Sequence, residues 1–224
     1  MKRHIIEPRG NWQQKVEEIG FNFHTLEELY WDESVMYEFS AKEIDDIEKA
    51  TNELWKICLE AVQYVIDNKL YPKFHIPEWF VPHIEKSWEN DDPAIYGRFD
   101  FAFENGVPKM LEFNADTPTS LFESSVVQWY WLQDYDENLD QFNSIHEKLV
   151  DYWKYLKNYL HDDTLYFSCV KDSSEDFTTT EYIRDCAVQA GLETKFIYID
   201  EIGWNSENAV FVDKDFYPIK NIFK

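Results

Sequence analysis

The most informative segment of the chain comprises residues 96–120 and reads YGRFDFAFENGVPKMLEFNADTPTS. Apolar and polar residues alternate along two arms that flank Glu104-Asn105-Gly106, and an Asn-Gly pair between alternating arms is a strong signal for a β-hairpin. Read with a period of two, one face of the hairpin is apolar and carries Phe99, Phe101, Phe103, Leu111 and Phe113. The opposite face carries the polar side chains Arg98, Asp100, Glu112 and Asn114.

The register of this hairpin decides whether the polar groups meet. We predict a three-residue loop over residues 104–106, with Gly106 in the left-handed conformation. In this register Arg98 faces Glu112, and Asp100 is the diagonal neighbour of Glu112 on the same face. A two-residue turn would place Asp100 on the other side of the sheet, because a slip of one residue reverses every side chain.

The polar face has the composition of a magnesium site. Asp100, Glu112 and Asn114 offer two carboxylates and a carboxamide, which are the hard oxygen ligands that suit Mg²⁺ and its phosphates. The alternative is a solvated hairpin face with a surface salt bridge, which is the more frequent case for an arbitrary set of such residues. Spacing alone makes the metal site geometrically possible and leaves both interpretations open.

Several segments of the chain resemble one family of enzymes. They are residues 96–101, 111–120, 126–129 (VVQW) and 140–147 (DQFNSIHE). These segments are similar to the glutathionylspermidine synthase family, whose members are ATP-grasp-type C–N ligases. The similarity extends from about Arg9-Gly10-Asn11-Trp12 to Gly203-Trp204 and so covers nearly the whole chain.

The resemblance assigns roles to the hairpin residues. It implies that Asp100, Glu112 and Asn114 bind Mg²⁺ and that Arg98 contacts the ATP phosphates and the acyl substrate. It also implies that the cofactors are Mg²⁺ and ATP.

The segment after the hairpin supplies candidate substrate ligands. Thr117 and Ser120 carry hydroxyl groups that suit a phosphate or a peptide carboxylate, and the other interpretation is a turn that caps a helix starting at Pro118. In some family members a serine stands at the place of Thr117 and a cysteine at that of Ser120. This chain has threonine and serine at these two places, so the acyl substrate could be glutathione or a similar peptide.

An acidic pair follows the first strand of the C-terminal part. The resemblance suggests a polyamine site at Glu175 and Asp176, near the carboxyl end of a strand, where open α/β sheets place ligands. The alternative is ordinary helix capping, since acidic residues in the first turn of a helix complement its dipole.

Composition sets limits on the function. The 224 residues carry a net charge of −23, which argues against nucleic-acid binding because a basic patch is not expected in such a field. The cysteines are few and lack metal spacing, which indicates reduced thiols in a cytoplasmic protein. No secretory h-region and no membrane-spanning run is present in the sequence.

The order of the elements predicts a mixed α+β or α/β fold in two parts. Residues 1–160 would form the N-terminal part of a synthetase domain, with a long helix capped by Ser40 and Glu43 and with the metal-binding hairpin. Residues 161–224 would form a small Rossmann-like βαβ unit of the pre-ATP-grasp type, with strands at 164–170 and 194–199. The resemblance implies an ATP-grasp-like mixed sheet, and we expect the chain to be truncated, since such synthetase domains continue well beyond residue 224.

These observations lead to one functional hypothesis and one alternative. The hypothesis is an ATP- and Mg²⁺-dependent ligase that joins the carboxylate of a glutathione-like peptide to a spermidine-like polyamine through an acyl-phosphate, with this chain an incomplete part of it. The alternative is a non-catalytic polyamine- or metal-binding module, or a structural remnant that needs a second half. The sequence does not fix the oligomeric state.

Overall fold

The computed structural model describes residues 1–25, 28–116 and 118–224 and has a mixed α/β fold. Its α-helices are Trp12–Glu18 (α1), Ala41–Asp67 (α2), Val81–Glu89 (α3), Gln128–Tyr135 (α4), Ile145–Leu156 (α5) and Ser174–Gln189 (α6). Its strands are Lys2–Ile5 (β1), Val35–Glu38 (β2), Arg98–Glu104 (β3), Val107–Asn114 (β4), Thr164–Phe167 (β5), Glu193–Phe196 (β6), Gly203–Asn205 (β7), Val210–Val212 (β8) and Ile222–Phe223 (β9). The sheets are small: β1 pairs with β2, β3 with β4, β7 with β8, and β5 lies between β6 and β9. The mixed α/β class is confirmed, whereas the ATP-grasp-like sheet stays a prediction.

The described residues divide into two compact units. The first unit comprises Met1–Arg3 and Tyr37–Ala115, and the second unit comprises His4–Met36 and Asp116–Lys224. Residues 116–160 therefore group with residues 161–224 by their contacts. The boundary at residue 160 between a synthetase part and a pre-ATP-grasp part of the chain stays a prediction.

The first unit is built on the long helix α2. Ser40 caps it as predicted, because its hydroxyl accepts a hydrogen bond from the Glu43 backbone while the Glu43 carboxylate accepts one from the Ser40 backbone. No residue of this 27-residue helix is buried. The apolar face of the hairpin packs near it, with the Trp55 and Phe113 rings 5.6 Å apart in an edge-on contact.

The hairpin of β3 and β4 forms where it was predicted, but the three-residue loop was wrong. Glu104 pairs directly with Val107, so the loop contains only Asn105 and Gly106. Both loop residues have positive φ angles, 52° and 78°, as a type I′ turn requires. This turn matches the twist of the two strands, which explains why the two-residue loop forms.

A β-bulge restores the face that the shorter loop would have reversed. The pairing skips Leu111, since Phe101 pairs with Met110 whereas Asp100 pairs with Glu112. The extra residue compensates the shift of one position, because a bulge sets two residues against one. Leu111, which we predicted to share the apolar face with the phenylalanines, has no partner in the ladder, and its side chain is exposed.

The corrected register changes the pairing of the polar residues. Arg98 pairs with Asn114 rather than with Glu112, and Asp100 lies directly opposite Glu112 rather than diagonal to it. Gly97, which directly precedes Arg98, lies close to the Phe113 ring: a Cβ atom at this position would be 2.8 Å from it. Asp100 and Glu112 therefore share one face of the sheet, as predicted, through a different geometry.

The second unit contains a parallel three-stranded sheet. β5 pairs in parallel with β6 and with β9, and α6 connects β5 to β6 in a βαβ arrangement. Phe167 of β5 and Ile183 and Cys186 of α6 are fully buried. Apart from Tyr71, the buried apolar side chains among the described residues belong to this unit.

Two local features precede helices α4 and α5. The apolar run that begins at Leu121 contains a π-helical turn, Glu123–Val127, before α4 begins. Helix α5 begins at Ile145, directly after an Asn143 side chain that accepts a hydrogen bond from the Ile145 backbone. Among the described residues, no helix has the length and apolar character needed to cross a bilayer.

Candidate functional site

The polar face of the hairpin brings three charged side chains together. Asp100 and Glu112 lie opposite each other across the two strands. The guanidinium of Arg98 donates two hydrogen bonds to Asp100, with Nε 2.7 Å from Oδ1 and Nη2 3.2 Å from Oδ2. The same Nη2 lies 3.7 Å from Oε1 of Glu112. One cationic group therefore lies between two carboxylates.

The contact with Arg98 changes the acidity of Asp100. The hydrogen bond from Arg98 and its positive charge lower the pKa of Asp100, and this effect outweighs the partial burial of the carboxyl, which acts in the opposite direction. Asp100 is therefore a carboxylate throughout the neutral range.

Asn114 completes the polar face. Its Nδ2 atom donates a hydrogen bond of 2.8 Å to Oε1 of Glu112 and so holds that carboxylate on the strand face. The predicted residues Arg98, Asp100, Glu112 and Asn114 are thus all brought together by β3 and β4.

The chemistry of this donor set fits a magnesium ion. Two carboxylates and a carboxamide are the oxygen donors that Mg²⁺ takes from proteins, usually one or two at a time beside substrate phosphates. In the described ranges, no three Asp, Glu, His or Cys side chains gather into a metal-binding group. The hairpin thus offers an open set of ligands rather than a closed protein cage.

In the second unit, two of the predicted substrate residues, Ser120 and Glu175, act on the phenol of Tyr30. The Tyr30 hydroxyl donates a 2.7 Å hydrogen bond to Oε1 of Glu123. Burial is the largest cause that raises the pKa of Tyr30, to about 12, and the hydrogen bond to Glu123 is the next. The charge of Glu175 also raises this pKa, whereas a hydrogen bond with the Ser120 hydroxyl lowers it. Ser120 and Glu175 therefore both lie within electrostatic range of one phenol.

Ser120 has an unusual backbone. Its φ angle is 70°, in the left-handed region that a residue with a side chain rarely adopts. Its carbonyl accepts hydrogen bonds from the backbone and the hydroxyl of Ser124, at the start of the helical segment that leads to α4. Thr117, the other predicted hydroxyl ligand, lies outside the described residues.

Asp176 and Glu175 lie in the first turn of α6, after the carboxyl end of β5. Ser173 caps this helix, since its hydroxyl accepts a 3.2 Å hydrogen bond from the Asp176 backbone. The acidic side chains thus occupy the position that a helix dipole favours, so both the capping and the ligand interpretations remain compatible with the geometry.

Sequence reasoning missed Tyr30 and Glu123. Glu123 is buried, and its Oε2 atom has no hydrogen-bond partner among the residues that the structure describes. A carboxylate in the otherwise apolar and small-residue run 121–127 was the signal, because buried carboxylates are rare unless they are paired or functional.

Comparison with known protein families finds one family model that matches the chain. The model, described as "Glutathionylspermidine synthase preATP-grasp", matches residues 3–224. A protein of Haemophilus influenzae named "Putative acid--amine ligase" is 39% identical over 223 residues. Trypanothione synthetase of Crithidia fasciculata is 31% identical over 179 residues, and the bifunctional glutathionylspermidine synthetase/amidase of Escherichia coli is 29% identical over 165 residues.

These alignments cover most of this chain and a smaller share of each relative. They include 96%, 74% and 70% of the chain, respectively. The chain spans 57% of the length of the Haemophilus protein and 26% of each of the other two.

Proposed function

The chain belongs to the glutathionylspermidine synthase family, in its pre-ATP-grasp segment, and on that basis we propose that it forms part of an ATP- and Mg²⁺-dependent acid–amine ligase. The names of three relatives describe a ligase or a synthetase, which supports the reaction class. The proposed reaction forms an amide between a peptide carboxylate and an amine. Because the chain covers only part of each relative, the activity is assigned to the protein that contains this segment together with the remainder of the enzyme.

The observation that carries the proposal is the pairing of Asp100 with Glu112 across the hairpin, with Arg98 between them. Two carboxylates fixed on one face attract a cation, and their combined negative charge exceeds the single positive charge that Arg98 brings to them. In the proposed site Asp100, Glu112 and Asn114 hold Mg²⁺. When bound, ATP would supply the phosphoryl group that activates the acyl donor as an acyl-phosphate, and Mg²⁺ would neutralise charge on the phosphates.

Arg98 has a separate task in this proposal. Its guanidinium is planar and forms paired hydrogen bonds, as its contacts with Asp100 demonstrate. The same fork matches the carboxylate of the acyl donor or a phosphate oxygen. Arg98 would therefore orient the carboxylate and stabilise negative charge on the oxygens that react.

The substrates are proposed from the second group of residues. A glutathione-like peptide would meet the hydroxyl groups of Thr117 and Ser120, and a spermidine-like polyamine would meet Glu175 and Asp176. Opposite charge supports the second assignment, because the protein carries a net charge of −23 and a polyamine is a polycation. The three free thiols support a reducing, cytoplasmic location as a further proposal.

The test compares metal binding in two matched variants. Glu112→Gln removes one carboxylate from the polar face, whereas Glu104→Gln removes an exposed carboxylate from the end of the same hairpin. Titration calorimetry with MgCl₂ and with Mg²⁺–ATP should show affinity lowered by about tenfold or more in Glu112→Gln, and the Glu104→Gln control should match the parent. Equal affinity in all three proteins would contradict the metal site.

The ligase activity needs its own measurement in the protein that contains the remaining part of the enzyme. Release of ADP should require both a glutathione-like peptide and spermidine, and Arg98→Leu should reduce the rate by about 10²-fold or more. Metal binding without ADP release in the presence of both substrates would instead support the alternative of a non-catalytic metal-binding module.

A further inference from the structure

Asn143 lies in the segment 140–147 that carries part of the family resemblance, yet the proposed function assigns it no role. Both ends of its side-chain amide are hydrogen-bonded. Oδ1 accepts a 3.2 Å hydrogen bond from the Ile145 backbone, where α5 begins. Nδ2 donates to the backbone carbonyls of Ser124 and Ser125, at 3.0 Å and 3.1 Å. Because backbone carbonyls only accept and a backbone N–H only donates, the orientation of the amide is fixed.

The two carbonyls that Asn143 contacts belong to the π-helical turn, whose backbone pairing differs from that of an α-helix. The Gln128 N–H donates to the Glu123 carbonyl, five residues earlier, whereas an α-helix would use the Ser124 carbonyl, four residues earlier. A side-chain donor that occupies carbonyls of the turn favours the π form over the α form. Relaxation to an α-helix would rotate the residues on the two sides of the turn relative to each other by roughly 100°.

The π-helical turn holds two groups that adjoin the proposed peptide site. Glu123 is 4% exposed, and its Oε1 accepts from the Tyr30 hydroxyl, whereas Oε2 has no hydrogen-bond partner within the described part of the chain. A buried carboxylate with an unpaired oxygen is costly, so the surrounding structure must hold it in place. The second group is Ser124, whose backbone N–H and hydroxyl donate to the Ser120 carbonyl, at 3.2 Å and 2.8 Å. These bonds anchor the left-handed backbone of Ser120.

We propose that Asn143 is a positioning residue of the peptide site. It stabilises the π-helical turn, and the turn sets the positions of Glu123 and Ser120. The link to the peptide rests on the proposed function, because Ser120 is the residue proposed to meet the peptide. The link to Glu123 and Tyr30 rests on the hydrogen bonds alone. The alternative is a purely local role, in which Asn143 only fixes the start of α5.

The experiment separates the two ends of the Asn143 amide. Asn143→Asp keeps an oxygen for the Ile145 N–H but has no N–H group to donate to the π-helical turn. Asn143→Ser also keeps an acceptor, on a shorter side chain and without a negative charge, and serves as the second variant. The control is Asn158→Asp, which removes a comparable 3.1 Å hydrogen bond, from Nδ2 to the Tyr155 carbonyl, at an exposed position outside the turn.

The first measurement is the ¹³C resonance of the Tyr30 Cζ atom at neutral pH, assigned with Tyr30→Phe, which reports the hydrogen bond to Glu123. Both Asn143 variants should shift this resonance in the direction seen in Glu123→Met, which removes the acceptor and keeps a similar volume. Asn158→Asp should leave the resonance unchanged. An unchanged Tyr30 resonance in either Asn143 variant that is folded, as judged by circular dichroism, would overturn the proposal.

The second measurement is the affinity for glutathione, by titration calorimetry in the protein that contains the remaining part of the enzyme. Both Asn143 variants should bind glutathione about fivefold more weakly or worse, because a displaced Ser120 loses a hydrogen bond to the peptide, and Asn158→Asp should match the parent. A shifted Tyr30 resonance with unchanged glutathione affinity would overturn the positioning role.

Failure of the proposed peptide site would give a different result, since the parent protein itself would not bind glutathione. In that case the Tyr30 resonance still decides: a shift in the Asn143 variants supports the hold of Asn143 on the turn, and an unchanged resonance overturns it.

Discussion

At the scale of single residues, Arg98 sets the charge state of the hairpin site. Its hydrogen bonds lower the pKa of Asp100, so the ion pair contributes to stability above the ordinary carboxyl pKa and is lost as the pH falls through the lowered value. In Arg98→Gln the Asp100 pKa should rise toward its ordinary value, as measured by NMR titration of the carboxyl carbon. An unchanged titration midpoint would mean that the contact does not persist in solution.

The three cysteines should differ in reactivity because of their environments. Cys58 is partly exposed, whereas Cys169 and Cys186 are buried, and burial raises the pKa of Cys186 to about 12. Since the thiolate is the reactive form, iodoacetamide should modify Cys58 first and the two buried thiols only on unfolding. Peptide mapping by mass spectrometry measures the order, with Cys58→Ser as the control. Rapid modification of Cys186 in the folded protein would contradict this environment.

At the scale of elements, the bulge at Leu111 aligns the two carboxylates. Deleting Leu111 should give a regular ladder in which Asp100 still pairs with Glu112, because the two-residue turn then continues without a shift. We expect the deletion variant to keep its Mg²⁺ affinity within about threefold, since the donor set is unchanged. Substitution Leu111→Ser, which keeps the length of the strand, is the matched control. A deletion variant that is folded but no longer binds Mg²⁺ would contradict the register.

Sequence patterns predicted the elements better than their details. The capped helix α2, the hairpin and the βαβ arrangement all follow from local signals such as the Ser40–Glu43 pair. The turn and the bulge escaped prediction because they compensate each other, and at the bulge itself the sequence shows only a pair of adjacent apolar residues, Met110 and Leu111. The π-helical turn at Glu123–Val127 has no propensity signature, and the contact between Tyr30 and Glu123 joins residues too distant in sequence to be paired by spacing.

At the scale of the whole molecule, charge opposes folding. A net charge of −23 on 224 residues produces self-repulsion in the compact state, which salt screens. Raising NaCl from about 20 mM to about 500 mM should therefore increase the melting temperature by roughly 2–5 °C. Differential scanning calorimetry measures the change, and an equal osmolarity of sucrose separates screening from exclusion effects. A melting temperature that falls with NaCl would indicate that specific ion pairs outweigh the general repulsion.

The two-residue turn that aligns the hairpin also exposes it to chemical ageing. Asn105 precedes Gly106, and the small glycine lets its backbone nitrogen attack the asparagine side-chain amide, which expels ammonia and closes a succinimide ring. Water then opens this ring and leaves isoaspartate. Isoaspartate adds one carbon to the backbone of the turn, so stored protein should lose Mg²⁺ affinity in proportion to the isoaspartate found by peptide mapping, and Asn105→Asp should age more slowly. The lifetime of the proposed metal site would then depend on a residue that does not bind the metal.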